Sequence, residues 1–168
     1  GTLLAMLLKK VRKNKTPPKH IVAIDYADSM LSGARRRLKS YPEVEVRRAD
    51  AAALPFSDCT FDTINIANSV HSFPELRPTL RESFRVLKNN GTMAANVRLY
   101  PIGAPPLKWI AKRINNWGMR KGILHTPYTE AYITAEFKNA GFEITETEKT
   151  GNCLNLLVFK PQREQTNN

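Results

Sequence analysis

The chain alternates short strand-like runs with amphipathic helical stretches, and two of the runs end on an aspartate. HIVAID at 20–25 is a continuous apolar run closed by Asp25, which reads as a strand buried on both faces, the habit of parallel sheets. In SMLSGARRRLKS after it, Met30, Leu31, Ala34 and Leu38 fall on one helical face, with Arg35, Arg36, Arg37 and Lys39 solvated. Asp28 or Ser29 is placed to cap that helix. VEVRRAD at 44–50 reads as a short strand ending in Asp50, FDTINIANSV at 61–70 as a longer strand, and TLRESFRVLK at 79–88 as an amphipathic helix. Asn89, Asn90 and Gly91 then predict a left-handed stop before another strand. Strands alternating with helices through short loops predict βαβ units, hence an α/β fold with a mostly parallel sheet.

The two ends of the chain follow different patterns. Before HIVAID, GTLLAMLLKK reads as a helix that packs Leu3, Leu4, Leu7 and Leu8 on a sheet, and NKTPPK at 14–19 as a Pro-rich loop. From Pro101 the alternation stops, and 99–128 reads as an insertion whose helix carries Leu107, Ile110, Ile114 and Trp117 on one face. EAYITAEFKNAGFEITETEK reads as a helix, a stop at Gly141 and a strand; CLNLLVFKP is a last strand. With no helix between them, these two strands are expected to form a hairpin, so one runs antiparallel to the rest. PQREQTNN at 161–168 is a polar tail expected to fray.

Length and apolar content, 168 residues and 42% hydrophobic, suit one domain over 1–168. No run of eighteen apolar residues and no secretory leader pattern is present, so a cytoplasmic protein is expected. Cys59 and Cys153 are too few and too far apart for a metal site or a disulfide framework, and no metal is expected. The net charge of +11 gathers in Lys9, Lys10, Arg12, Lys13, Lys15 and Lys19, all before Asp25. No helix-turn-helix, zinc-finger or RNA-recognition signature accompanies it, so nucleic acid is not the expected partner.

In an open parallel sheet, ligands bind beyond the carboxyl ends of the strands, which here read Asp25, Asp50 and Asn68 to His71. An acid ending one strand can accept from both ribose hydroxyls of an adenosine ligand, and an acid ending the next from an adenine amine. Each could also simply cap the following helix. VAIDYADSMLSGARRRL, VEVRRADAAALPFSDCTFDTINIANSVHSF and LRESFRVLKNNGTM resemble consecutive motifs of the class I S-adenosylmethionine-dependent methyltransferases. The subgroup is that of ubiquinone and menaquinone biosynthesis, and the resemblance covers about residues 1–98. It implies a Rossmann-like sheet with helices on both faces and an antiparallel C-terminal strand. It also implies S-adenosylmethionine as cofactor and methyl transfer to a small, lipophilic or aromatic acceptor. By the same resemblance Asp25 holds the ribose, Tyr26 and Met30 flank the adenine, Asp50 bonds its amine beside Ala51, and Asn68 lies along the methionine moiety.

Methyl transfer from a sulfonium is an in-line displacement, so the protein mainly has to hold donor and acceptor and exclude water. If a base is used, His71 is the candidate, and Trp109, His125 and Tyr128 are candidates to contact the acceptor. The basic helix at 107–121 could meet an anionic membrane surface. Gly1 aligns with the last glycine of the family's cofactor turn, so the central first strand and the rest of that turn are expected to be missing. Each buried amide or carbonyl left unpaired by such a loss costs roughly 1 to 3 kcal/mol, and an N-terminally truncated chain is expected to bind the cofactor weakly or not at all. The competing expectation is a non-catalytic module of this fold whose basic face binds nucleic acid or an acidic partner. NSVH at 68–71, where a base-flipping methyltransferase carries an NPPY-like tetrapeptide, argues against a nucleic-acid acceptor.

Overall fold

A computed structural model describes residues 1–13, 20–100, 113 and 128–162. They fall into two compact units, Gly1–Pro55 and Phe56–Asn168. Among the candidates named above, Trp109, Trp117, His125 and most of 107–121 lie outside the described residues, as does the tail from 163.

In the first unit, α1 (Thr2–Lys13) precedes a βαβ unit made of β1 (Ile21–Asp25), α2 (Asp28–Arg37) and β2 (Val44–Arg48). β1 and β2 pair in parallel, Ile21 with Val44 through Asp25 with Arg48. Alternation puts Ile21, Ala23, Val44 and Val46 on one face, where they pack with Leu4, Ala5, Leu8, Ala34 and Leu38 from the two helices. The opposite face is more open than the continuous apolar run predicts, and Ile24 is 36% exposed. α1 likewise buries one of its two leucine stripes: Leu8 is buried while Leu3 and Leu7 stay exposed. The expected side-chain cap of α2 is replaced by another device. Ala27 is the N-cap without a side-chain bond, and Asp28 lies in the first turn, where the helix dipole favours its charge. Met30 is also displaced from the expected core face and is exposed.

In the second unit, β3 (Phe61–Ile66), a 3-10 turn (Val70–Ser72), α3 (Leu76–Val86), β4 (Leu87–Arg98), α4 (Glu130–Asn139), β5 (Glu143–Thr150) and β6 (Cys153–Phe159) follow in order. The sheet order is β3-β4-β6-β5. β3 and β4 are parallel, whereas β6 runs antiparallel to both β4 and β5, as the hairpin reading expects. Met93, Ala95 and Val97 of β4, Leu99 just after it, and Leu154, Leu156 and Val158 of β6 form one apolar face, packed against Leu76 and Leu80 of α3 and Ile133 and Phe137 of α4. β5, at the sheet edge, is almost wholly exposed and carries Glu143, Glu146, Glu148 and Lys149, charges that discourage edge-to-edge pairing. α3 and α4 are joined by Arg77, whose Nε and Nη2 donate to the two oxygens of Glu136 at 2.7 and 2.9 Å. The pair holds the Glu136 carboxyl below its ordinary range.

The end of α3 differs from the expected left-handed stop. Leu87 is already extended, and the left-handed residue is Asn90 (φ 62), the fourth residue of β4. Every late carbonyl of the helix nevertheless has a donor. Leu87 N–H donates to Ser83, Cys59 N–H to Arg85 at 3.0 Å and Thr60 N–H to Val86 at 2.8 Å. The ammonium of Lys160, buried beyond the end of β6, donates to the carbonyls of Phe84 at 2.8 Å and Leu87 at 2.6 Å. It also stands 4.7 Å from the centre of the Phe84 ring. Gly141 ends α4 at φ 102, as expected, and a β-carbon there would meet the same ring at 2.9 Å.

Lys160→Met keeps the apolar stem and deletes the donor that reaches the Phe84 and Leu87 carbonyls. The expected loss is about 1–3 kcal/mol of stability, measured by urea denaturation with an unchanged m-value.

Candidate functional site

The first unit brings together the carboxylates expected to hold an adenosine. Asp25 ends β1 and Asp50 follows β2, so both leave the carboxyl end of the same parallel pair. Asp25 Oδ1 accepts from Ala27 N–H at 3.0 Å and Asp50 Oδ1 from Ala52 N–H at 2.8 Å. These bonds fix each loop by its own carboxylate and leave Oδ2 of each for another donor. Tyr26 and Met30, the expected adenine flank, are 67% and 59% exposed, a large apolar surface beside the Asp25 carboxylate. The Arg48 guanidinium lies 5.1 Å from the Tyr26 ring centre. Ala51 is half-buried in the loop closed by the Asp50 to Ala53 bridge. Gly1 precedes α1, and a β-carbon there would come within 2.9 Å of Ala34 Cα, so only glycine allows this approach to α2. Accepting carboxylate oxygens beside an exposed aromatic and a thioether suit the hydroxyl and amine donors and the flat base of an adenosine group, and these residues fit it.

The second unit holds the remaining candidates. Asn68 follows β3 in the left-handed conformation (φ 53) and is exposed. His71, in the 3-10 turn, is buried. Burial and, secondarily, the charge of Arg98 hold its imidazole below the ordinary value of 6.5. At neutral pH the ring is therefore uncharged and able to take a proton. Tyr128 packs beside the end of β4: its N–H reaches the Arg98 carbonyl at 3.4 Å, and its carbonyl accepts from Tyr100 N–H at 2.9 Å. Its ring stacks on Tyr132 at 5.6 Å, and burial pushes its phenol up, which makes it a packing and hydrogen-bonding group at neutral pH.

Asn96 and Arg98, the last polar residues of β4, are not marked out by the strand-end aspartates. Their signal is visible in MAANVRL, where they alternate with Val97 and Leu99 in an otherwise apolar strand. Among the described residues no cluster of metal-ligating side chains is found, and Cys59 and Cys153 are free thiols.

His71 also sets an acid limit on stability. Its folded pKa lies below the unfolded one, so the stabilisation is complete above 6.5 and falls as pH drops from there toward the lowered value. His71→Gln should flatten the pH dependence of the thermal midpoint between about pH 7 and 5, while the parent chain loses stability across that range.

Comparison with known proteins identifies the family and the fold. A methyltransferase-domain family model matches residues 2–95. A demethylmenaquinone methyltransferase of Clavibacter sepedonicus is 43% identical over 72 residues, 43% of this chain and 29% of that protein. One from Thermus thermophilus is 37% identical over 91 residues, 54% of this chain and 40% of that protein. The matched part thus spans well under half the length of these curated relatives. The fold is shared with a SAM-dependent methyltransferase of Methanosarcina mazei, at a TM-score of 0.68 and 16% identity, covering 86% of this chain and 83% of that one. The chain therefore belongs to the methyltransferase-domain family.

Proposed function

We propose that the chain carries out S-adenosylmethionine-dependent methylation of a small aromatic acceptor of the quinol class. The observation that carries this reading is the pair Asp25 and Asp50, each with one oxygen bound to its own loop and the other left for a ligand. Asp25 would take the ribose hydroxyls, Asp50 the adenine amine, and Tyr26 and Met30 the faces of the base; the role of Asn68 toward the methionine portion rests on the resemblance alone. When bound, the cofactor supplies an electrophilic methyl group. His71, uncharged at neutral pH, takes the proton of the acceptor hydroxyl, and Tyr128 lines the acceptor side. The relatives named for demethylmenaquinone support a lipophilic acceptor. No helix among the described residues is long and apolar enough to cross a membrane, and the basic segment at 107–121 is the proposed face toward a membrane surface.

Calorimetric titration with S-adenosylmethionine tests this, using the chain alone and the chain joined behind a family-like strand and glycine turn. The joined form is expected to bind with a dissociation constant of about micromolar order. Asp25→Asn and Asp50→Asn should each weaken it by about tenfold to a hundredfold, the range for a hydrogen bond to a charged group. Absence of binding by both forms, or unchanged affinity in both variants, overturns the reading.

A further inference from the structure

Three buried side-chain polar atoms among the described residues have no hydrogen-bond partner: His71 Nδ1, Asn96 Oδ1 and Arg98 Nε. All three lie at one end of the second unit. Ala95 pairs with Ile66, the last residue of β3, so Asn96 and Arg98 extend past the carboxyl end of that strand. The 3-10 turn that carries His71 packs against β4. Alternation along β4 puts Asn96 and Arg98 on the face opposite the buried Val97 and Leu99, so neither points into the apolar core. Asn96 spends its amide N–H on Asn155, its partner on β6, and Oδ1 is left over.

Leaving such atoms unpaired costs roughly 1 to 3 kcal/mol each, and more for a charged group. Their complementarity is specific. Arg98 Nε is a charged donor with no carboxylate bound to it, Asn96 Oδ1 is an acceptor, and His71 Nδ1 belongs to an uncharged ring. A ligand that answers all three brings one oxygen able to become anionic, a proton to give up and a further donor. An aromatic ring with two hydroxyls has these; a carboxylate, already ionised at neutral pH, has no proton for the imidazole.

We propose that Arg98 binds the acidic hydroxyl oxygen of the acceptor, donating from Nε as the hydroxyl proton passes to His71 Nδ1, while Asn96 Oδ1 accepts from a second donor on the same ring. The O–H bond breaks, its electron pair stays on the oxygen beside the guanidinium, and an N–H bond forms on the imidazole. The assignment rests on the methyltransferase reading for the name acceptor, but the binding itself needs no methyl donor.

Titration of the chain with para-nitrophenol and with para-nitroanisole, its methyl ether, separates the two claims. Absorbance reports ionisation of the phenol on the protein. The parent is expected to prefer the phenol over the ether by about tenfold or more and to raise the phenolate fraction, because a charged hydrogen bond is at stake. Arg98→Gln should bring the preference to within about twofold, and Arg98→Lys should retain part of it. Equal affinity of the parent for phenol and ether overturns the assignment whether or not the variants fold, and so does an undiminished preference in a folded Arg98→Gln. Absence of cofactor binding by both the chain and its joined form, with the phenol preference intact, overturns the methyltransferase reading and leaves this site standing.

Discussion

The second unit depends on how the carboxyl end of α3 is satisfied. A helix leaves its last four carbonyls without internal donors, and burying them unpaired would offset much of the packing that the helix makes. Here the donors come from three places in the chain: Leu87 just past the helix, Cys59 and Thr60 just before β3, and Lys160 just after β6. Closing this one helix end therefore ties together the start of β3, the start of β4 and the end of β6. Cys59 pays part of the cost in backbone conformation, with φ at 51, which lets consecutive N–H groups meet consecutive carbonyls.

That closure sets where the other ends of the strands lie. With the entry points of β3 and β4 held together, the strands run in parallel from Thr63 with Thr92 to Ile66 with Ala95, and their carboxyl ends open side by side. Beyond them the apolar pattern stops: Asn68 turns left-handed, His71 is buried in the 3-10 turn, and Arg98 ends β4. The same logic operates in the first unit, where the parallel pair of β1 and β2 delivers Asp25 and Asp50 from one sheet end. Rigid pairing at one end of a parallel pair leaves the other end free to carry chemistry.

Much of this was legible because parallel strands announce themselves by composition and by what ends them. Strands lie within HIVAID, VEVRRAD and FDTINIANSV, although β2 ends at Arg48 and β3 at Ile66, short of the ends read from the sequence; the stop at Gly141 is where the sequence puts it, and the final hairpin has the expected antiparallel sense. The stop after α3 was misread because Asn89, Asn90 and Gly91 resemble a helix terminator, whereas the real donors lie far away in sequence. Lys160 could not be recognised as a cap, since a lone lysine after a strand usually ends in water. Arg98 was missed for a related reason: a single arginine in an apolar strand gains meaning only when the neighbouring strand's turn is known to lie beside it.

The two ends of the second unit are also unlike in a way that bears on function. At the α3 end the fold finds a donor for every late carbonyl, even at the cost of burying a lysine ammonium among them. At the β3 and β4 end it leaves an imidazole nitrogen, an amide oxygen and a guanidinium N–H without partners. One chain that solves the harder problem so completely does not leave the easier one open through loose packing, since Val97 and Leu99, the neighbours of these atoms along β4, are fully enclosed. Unpaired buried groups in a well-packed fold call for an explanation of their own. Their chemistry at this end, one charged donor, one acceptor and one uncharged imidazole held so by burial and by that charge, is a set of partners for a molecule that arrives as an acid and reacts as its anion.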